Sequence, residues 1–494
     1  MNKLTEQQIQ QKLAEGRNYK RLYFELKEKY DAVVAENKQL KQMLVDQKAY
    51  FEAIIESQNA RITELETMVF GRKPKGGIPV KAKASTKVAR SATSYRRPIP
   101  PASAITSEEH HVIDSCHRCG HKLTNKAEAI RYEEDIVLAA LDLNTRHKTV
   151  TKHTIETGWC SRCGQNSSAK DLRGQVTALG PVARSLIVYL VVQSDQTYSQ
   201  TQDLLWQLYR FKVSSSEIAN VLAARSAAYL PEYEQLKTNV RAGPAHMDET
   251  SWPIQSERGS GYAHVMVGVD GMPNEHTVVY KLADSRGKGN SETLVGANYN
   301  QVGITDRYGA YKHLFIGSDG VDRHQICWAH LHRNARDLTH LECLSKQKQR
   351  HVAEFYQNLT GIYASIRDHK EQPFDHVKRS QQASDLLKKV QAICVPHRLD
   401  PKKLANLKAG ILEYQDCLFL CLTEPNIPAD NNKAERALRK LVIKRKKSFG
   451  VKTLKGARTM EVLLSVCQSL YNQNKDNFLP ALHALATTEA SVSV

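Results

Sequence analysis

Three carboxylates in the second half of the chain have positions that suit metal-dependent chemistry. Asp248 and Asp306 each lie at the predicted end of a strand, and Glu435 lies in a helix predicted to begin near Asp430. Carboxylates that are brought together repel one another, and cations that prefer oxygen ligands, such as Mg²⁺ or Mn²⁺, relieve this repulsion. Two such ions about 4 Å apart can activate a water or a 3′-hydroxyl and stabilise the leaving oxygen of a phosphodiester. The pattern therefore favours phosphoryl transfer.

Spacing alone does not single out these acids. An aspartate at the end of a strand is most often a turn or capping residue. Four other aspartates fit that description equally well, namely Asp270, Asp284, Asp319 and Asp322. The helix is more informative, because Asn431 and Asn432 precede Glu435 by four and three residues and share its helix face.

Two Cys-x-x-Cys pairs, each followed by glycine, form a second chemical cluster. The four residues are Cys116, Cys119, Cys160 and Cys163. Four thiolates supply the tetrahedral ligand set of structural zinc. Residues 130–157 between the pairs alternate polar and β-branched residues, which predicts a hairpin. Four unrelated reduced cysteines are the alternative, and a redox pair is disfavoured because no βαβ pattern surrounds either motif.

The segments that must position the acids have a strand-like pattern. Alternation predicts strands at residues 262–269, 277–282, 303–306 and 324–328, and residues 245–252 lead into a further strand or its end. The last strand runs directly into a helix at 329–338. Three antiparallel strands followed by strands with helical crossovers predict a mixed α/β sheet. A helical insertion at 341–421 separates Asp306 from Glu435, and it could face DNA or serve assembly.

The N-terminal region has a different pattern. Interleaved seven-residue series over residues 19–69 predict a coiled coil, with a long helix packed on its own domain as the alternative. Residues 71–107 contain no Asp or Glu and are rich in Lys and Arg, which predicts a flexible arm that neutralises phosphates, or else a solvated linker. Helices predicted over residues 176–240 could form a helix-turn-helix, although plain helical packing fits equally well.

The overall charge indicates the kind of partner. The 494 residues include 70 Lys and Arg against 52 Asp and Glu, a formal net charge of +18. This favours a polyanion, with nucleic acid the first candidate and an anionic membrane the second. The most apolar run, Ser185 to Val192, is too short to span a bilayer, and the first ten residues lack the apolar core of a signal peptide. We therefore expect a cytoplasmic protein with DNA as its partner and no membrane.

Several segments resemble the insertion sequence 66 family of DDE transposases. Residues 246–252 (HMDETSW) are similar to the family's (V/A)DET-W segment, and residues 305–311 (TDRYGAY) to its (S/T)DGY-AY segment. Residues 327–333 (CWAHLHR) resemble its CWAH-RR segment, and residues 430–436 (DNNKAER) its DNN-AER helix. The long helix also ends in Phe70-Gly71-Arg72, similar to the family's FGR signature.

The resemblance implies an RNase H-like catalytic domain in which Asp248, Asp306 and Glu435 bind Mg²⁺ or Mn²⁺. It implies a transposase that binds terminal inverted repeats, cleaves a phosphodiester and joins the 3′-hydroxyl to target DNA, with small accessory proteins of the same element as further partners. The chain departs from the family pattern at Arg307, where glycine is usual, and at His332, where a basic residue is common. Neither departure removes a carboxylate.

The predicted organisation has seven parts. They are a coiled-coil helix that forms a homo-oligomer (1–70), a basic linker (71–107), a zinc-binding region (108–175), a helical region (176–240), the first part of the catalytic domain (241–340), a helical insertion (341–421) and C-terminal catalytic helices (422–494). The predicted DNA contacts are Arg72, Lys73, Lys75, Arg96, Arg97, His330, Arg333, Asn431, Asn432, Arg436, Lys444, Arg445 and Lys446. The alternative function is a non-catalytic, zinc-containing DNA-binding regulator.

Overall fold

A computed structural model describes residues 97–138, 148–170, 176–257, 261–341 and 344–488, together with scattered positions between residues 7 and 42. The chain divides into two units, Met1–Ser91 and Ala92–Val494. In the first unit the described positions are helical and exposed, including Val33 and Val34, and the coiled coil stays a prediction. Most of the heptads and the predicted contacts Arg72, Lys73, Lys75 and Arg96 lie outside the described residues.

A five-stranded sheet carries the two cysteine pairs. Its strands are β1 (Ser107–His111), β2 (Thr124–Ile136), β3 (Lys148–Cys160), β4 (Gln165–Ser168) and β5 (Thr177–Leu179), in the order β1-β3-β2-β5 with β4 paired to β3. The antiparallel β2–β3 pair is the predicted hairpin. Gly120 and Gly164 follow the cysteine pairs with φ of +69° and +65°, a conformation that glycine adopts without strain.

Four helices follow this sheet. They are α1 (Pro181–Val188), α2 (Tyr198–Tyr209), α3 (Ser215–Ala228) and α4 (Leu230–Arg241). Ser214 caps α3 and forms a capping box with Glu217, while Pro181 opens α1. The turn between α2 and α3 is compatible with a helix-turn-helix, and DNA contact there stays a prediction.

A second five-stranded sheet forms the centre of the larger unit. Its strands are β6 (Ala245–Ser251), β7 (Tyr262–Gly268), β8 (Val278–Ala283), β9 (Gly303–Thr305) and β10 (His324–Ile326), in the order β10-β9-β6-β7-β8. β6, β7 and β8 pair antiparallel, whereas β9 is parallel to both β6 and β10. The helix α5 (Lys288–Val295) connects β8 to β9. This confirms the predicted mixed α/β sheet.

Two groups of helices pack on this sheet. The predicted helical insertion consists of α7 (Lys346–Glu371), α8 (His376–Ile393), α9 (Lys402–Glu413) and the short α10 (Leu420–Thr423), and it shares a hydrophobic core with α6 (Trp328–Thr339). The C-terminal helices are α11 (Asn432–Ser448), α12 (Leu454–Gln473) and α13 (Phe478–Thr488), and their core includes β6, β7 and β8. Among the described helices, none is both long and apolar enough to cross a membrane.

The edge strand β8 is covered by side chains of α12. Three of its amide groups donate hydrogen bonds of 2.9 Å to side-chain oxygens that are spaced four residues apart on the helix. The pairs are Val278 to Ser469, Tyr280 to Ser465 and Leu282 to Glu461. The spacing works because four helical residues advance about 6 Å, close to the rise of two strand residues. The edge is thereby closed to further strand pairing.

Arg97 is a fixed structural residue. Its guanidinium donates to Glu134 on β2 and, at 2.8 Å, to Glu217 on α3, and it lies over the Phe211 ring. Its side chain is only 10% exposed. This corrects the prediction that Arg97 belongs to a flexible, phosphate-binding arm, because β2 and α3 supply the acids that the arm itself lacks.

We expect Arg97→Ala to lower the free energy of unfolding by about 2 kcal/mol, because two largely buried carboxylates lose their partner. Lys152→Ala is the matched control. Lys152 pairs with the exposed Glu108, and such surface pairs contribute less than about 1 kcal/mol. Urea unfolding measures both variants. Equal stability of the two variants would contradict the structural role of Arg97.

Candidate active site

Asp248 and Asp306 come from neighbouring parallel strands. Ala245 of β6 aligns with Gly303 of β9, and His246 aligns with Ile304. The same register, continued by two residues, places Asp248 beside Asp306. Asp306 directly follows β9 as predicted, whereas Asp248 lies within β6 and not at its end, because β6 continues to pair with β7 after β9 has ended.

Glu435 comes from the first turns of α11, which packs against β6 and β7. The helix begins one residue later than predicted, with Asn431 and not Asp430 as its N-cap. The Asp430 carboxylate accepts a hydrogen bond of 3.1 Å from the amide of Asn432, and the Asn431 amide donates to the sulfur of Cys327 at 3.1 Å. These contacts fix where the helix starts and therefore where Glu435 lies.

Asn431 ties this helix start to the strand that carries Asp248. Its side chain is fully buried, donates to the carbonyl of Met247 at 2.7 Å and contacts His246 Nδ1 at 3.1 Å. This enclosed position corrects the prediction that Asn431 contacts DNA. We assign it instead to holding β6 and α11 in register.

The three acids influence one another electrostatically. Burial and the negative charges of Glu249, Asp306 and Glu435 together raise the pKa of Asp248 to about 7, against the lowering effect of a hydrogen bond from the Glu249 amide. Glu435 Oε1 lies 3.4 Å from His330 Nε2 and 3.6 Å from the Arg333 guanidinium. Among the described residues, none gives this buried oxygen a hydrogen bond. The site therefore holds negative charge that is only partly compensated.

This donor set fits a hard divalent cation. Carboxylate oxygens are the ligands that Mg²⁺ and Mn²⁺ prefer, and a bound cation would stabilise ionised Asp248 and use the free oxygen of Glu435. The ligand atoms of the three acids lie farther apart than those of a closed metal site. Within the described ranges they are not one of the groups whose ligand atoms all lie within 4.8 Å of one another.

A buried acid next to Asp248 has a different role. The Glu249 side chain is 2% exposed and accepts hydrogen bonds from Arg286, at 2.6 Å to Nε, and from the Tyr311 hydroxyl. Arg286 also lies over the Tyr308 ring, 3.6 Å from its centre. Glu249 is thus fully occupied by protein partners. Our sequence analysis missed this network, although Glu249, Tyr308 and Tyr311 all lie in the two family-like segments.

A sequence model described as Transposase IS66 family matches residues 177–459. The chain belongs to this family. The match runs from β5 into α12 and contains all three acids, while the cysteine region lies before it. No curated protein matches the chain. Membership gives this protein a transposase role, and with it DNA binding and nucleic-acid processing.

Asp306 of the transposase lines a cleft of 530 Å³. Its walls include Arg286, Asp306 and His330 from the sheet side and Glu413 and Tyr414 from the end of α9, so the helical insertion forms one side. Lys312 spans the cleft wall by pairing with Glu413.

Arg307 replaces the glycine that is usual in the family at this position. Burial lowers its pKa, and its guanidinium packs against Gly410 of α9, where any larger side chain would collide with it. The contact between Arg307 and Gly410 therefore holds the turn after Asp306 in place. It also joins the catalytic sheet to the helical insertion.

The cysteine cluster has the dimensions of a zinc site. The sulfurs of Cys116 and Cys163 lie 4.0 Å apart and those of Cys119 and Cys160 lie 3.6 Å apart, with all four within 4.8 Å of one another. A tetrahedral zinc ion with bonds of about 2.3 Å separates its sulfurs by about 3.8 Å. The Cys163 amide donates a hydrogen bond to the Cys160 sulfur, and the Ser167 hydroxyl donates one to the Cys116 sulfur. Metal-bound thiolates commonly accept such hydrogen bonds.

The predicted DNA contacts fall into two groups. Arg333, Arg436 and Lys446 are exposed, and His330 and Asn432 are partly buried beside the acids. Arg445 is partly buried and donates to Thr250 and Ser251. Lys444 is 4% exposed and donates to the Val191 carbonyl, and burial lowers its pKa to about 8. This corrects the prediction that Lys444 binds phosphate.

Proposed function

We propose that this transposase cleaves phosphodiesters and transfers DNA strands with Mg²⁺ or Mn²⁺ held by Asp248, Asp306 and Glu435. The mixed sheet supports an RNase H-like catalytic domain, as the family resemblance implies. One observation carries the proposal above all. Acids from β6, from the end of β9 and from α11 interact electrostatically, and the pKa of Asp248 rises to about 7 because partial burial and neighbouring negative charges disfavour its ionised form.

The reaction has two displacement steps at phosphorus. Water attacks the phosphorus at the end of the element, and the 3′-oxygen leaves and takes up a proton to become a free 3′-hydroxyl. That hydroxyl then attacks a phosphodiester of the target, whose own 3′-oxygen leaves. When bound, the divalent ions would lower the pKa of the attacking group and neutralise the leaving oxygen. No covalent protein intermediate is required.

The surrounding residues hold the acids for this reaction. Asn431 fixes α11 to β6, and the Glu249–Arg286–Tyr311 contacts hold β6 to the neighbouring wall. His330 and Arg333 lie beside Glu435 and limit its repulsion with the aspartates. Asp248 must be ionised to bind a cation. In the metal-free protein, the ionised fraction of Asp248 therefore increases as the pH rises through about 7.

The DNA would follow the exposed cations around the acids. Arg333, Arg436 and Lys446 are exposed, and Arg286 and Lys312 line the cleft. Neutralised phosphates release counterions, so the affinity for DNA should fall steeply with salt. The terminal inverted repeats and the target are the proposed substrates. Self-association through the N-terminal helix, contacts from residues 71–107, structural zinc and accessory proteins remain part of the proposal.

Glu435→Gln is expected to lower Mg²⁺-dependent strand cleavage and transfer about 100-fold, because one anionic ligand of several is lost. The assay uses linear DNA that carries the ends and flanks of the element's own locus. Asp319→Asn is the matched control, since Asp319 lies in an exposed turn and pairs with Arg323. DNA binding should be unchanged in both variants.

The same assay separates the catalytic proposal from a non-catalytic regulator. A regulator would bind the ends but produce neither nicks nor joined products with Mg²⁺ or Mn²⁺. If Glu435→Gln is as active as the wild type, Glu435 is not one of the metal ligands.

A further inference from the structure

A second cluster of metal-ligating side chains lies on the first sheet, apart from the four cysteines. It consists of Glu109 and His111 on β1 and His153 on β3, and one ligand atom from each lies within 4.8 Å of the others. Glu109 aligns with His153 in the parallel β1–β3 register, and His111 lies two residues further on the same face of β1. His153 is 5% exposed, whereas Glu109 is open to solvent.

The three ligand atoms form a nearly equilateral triangle. Glu109 Oε2 lies 3.4 Å from His111 Nε2 and 3.2 Å from His153 Nδ1, and the two ring nitrogens lie 3.1 Å apart. A tetrahedral zinc ion with bonds of about 2.0 to 2.1 Å places its ligand atoms about 3.3 to 3.4 Å apart. The triangle therefore has the size of one face of a zinc tetrahedron.

Hydrogen bonds alone cannot account for all three short contacts in this triangle. Each imidazole nitrogen carries at most one proton and an ionised carboxylate carries none, so at most two of the three edges can be hydrogen bonds. The third edge then brings together either two lone pairs or two N–H groups. Among the described residues none is a hydrogen-bond partner of His153 Nε2, so the polar contacts of this buried ring all pass through Nδ1. A central cation would use all three lone pairs.

We propose that Glu109, His111 and His153 bind a second zinc ion, with the fourth position open to water or an added ligand. Two imidazoles and a carboxylate are a donor set that zinc accepts with one position free. The site is separate from the cysteine site, because His153 and Cys160 are seven residues apart on β3, about 23 Å along the strand. Zinc here would tie β1 to β3, which otherwise share five register positions.

The Lys170 ammonium could take the place of a zinc ion in this cluster. Its Nζ lies 3.3 Å from His153 Nδ1, so it can supply positive charge to the cluster when no metal is bound. Lys170 is exposed, and its flexible side chain can turn into solvent when zinc enters. The test must therefore distinguish a metal site from an ammonium-filled cluster.

The experiment compares zinc equivalents per chain in full-length proteins that are loaded with zinc and then dialysed against metal-free buffer. We expect His153→Gln to contain one equivalent less than the wild type, and the double variant Glu109→Gln, His111→Gln to lose the same equivalent. His110→Gln, an exposed histidine between the two β1 ligands, should retain it. The experiment measures the difference in zinc content between each variant and the wild type. The result therefore depends neither on the cysteine site nor on transposase activity.

Equal zinc content in the wild type and the double variant would overturn the proposal. The double variant decides if His153→Gln fails to fold, since its two positions are not buried. A Lys170→Met variant provides the last comparison. An additional equivalent in Lys170→Met that the wild type lacks would mean that the ammonium occupies the native cluster, and would also overturn the proposal.

Discussion

Asp248→Asn is expected to abolish metal-dependent strand transfer and, at the same time, to stabilise the metal-free protein above neutral pH. The loss of activity should reach about 1,000-fold, because a partly buried anionic ligand of the metal becomes neutral. The gain in stability has the same origin. Burial and the neighbouring carboxylates raise the pKa of Asp248 to about 7, so its charged form destabilises the folded chain.

The pH dependence of this effect has a definite sign. Because the pKa is raised on folding, the wild type pays no penalty below pH 4, loses stability as the pH rises from about 4 to about 7, and keeps that loss above 7. At pH 8 the asparagine variant should therefore be more stable by on the order of 3 kcal/mol. At pH 4 the two proteins should unfold alike.

Thermal unfolding with and without Mg²⁺ measures both parts of this prediction. Mg²⁺ should raise the melting temperature of the wild type, since it binds the folded state, and should affect Asp248→Asn much less. Asp319→Asn serves again as the control, because its exposed carboxylate has a pKa that Arg323 lowers and not raises. A melting temperature of Asp248→Asn at or below that of the wild type at pH 8 would argue against a charged, buried site.

Cys160→Ala is expected to remove zinc and to unfold the first sheet. Cys160 is fully buried at the end of β3, and its sulfur lies 3.6 Å from that of Cys119. Structural zinc sites contribute on the order of 10 kcal/mol of binding free energy that is coupled to folding. The small hydrophobic cluster around the cysteines, which includes Ile113 and Leu123, cannot replace that contribution.

Elemental analysis and amide hydrogen exchange test this prediction. Cys160→Ala should lose at least one zinc equivalent, that of the four-cysteine site, and should lose protection in β2 and β3, while β6 to β8 stay protected. Cys394→Ala is the matched control. Cys394 is an equally buried thiol at the end of α8 that lies outside the cluster, so it should keep its zinc. Unchanged zinc content in Cys160→Ala would exclude the four-cysteine site.

The sequence predicted those parts of the site that depend on local patterns. Alternation located β6, β7 and β8, and it also located the β2–β3 hairpin. The position of Asp248 within its strand was missed, because β6 extends beyond β9 only through its pairing with β7. That pairing depends on a distant strand, which periodicity within β6 cannot reveal.

Lys444 illustrates why a run of charges did not define a DNA surface. Residues 189–193 form a π-helical turn, and its carbonyls at Val191 and Gln193 accept from Lys444 and Lys440 of α11. A helix end with unpaired carbonyls attracts cations, and here the cations come from the basic run of α11, residues 439–447. The sequence shows the charges of that run, whereas the fold decides which of them remain exposed.

We propose that Asp248, Asp306 and Glu435 together bind a divalent cation, and a Mn²⁺ titration followed by electron paramagnetic resonance tests this claim. The full-length wild type should bind Mn²⁺, with an affinity that increases as the pH rises through about 7. Asp248→Asn, Asp306→Asn and Glu435→Gln should each weaken binding at least about 10-fold, while Asp319→Asn should match the wild type. Binding that all three variants retain at wild-type affinity would contradict the claim.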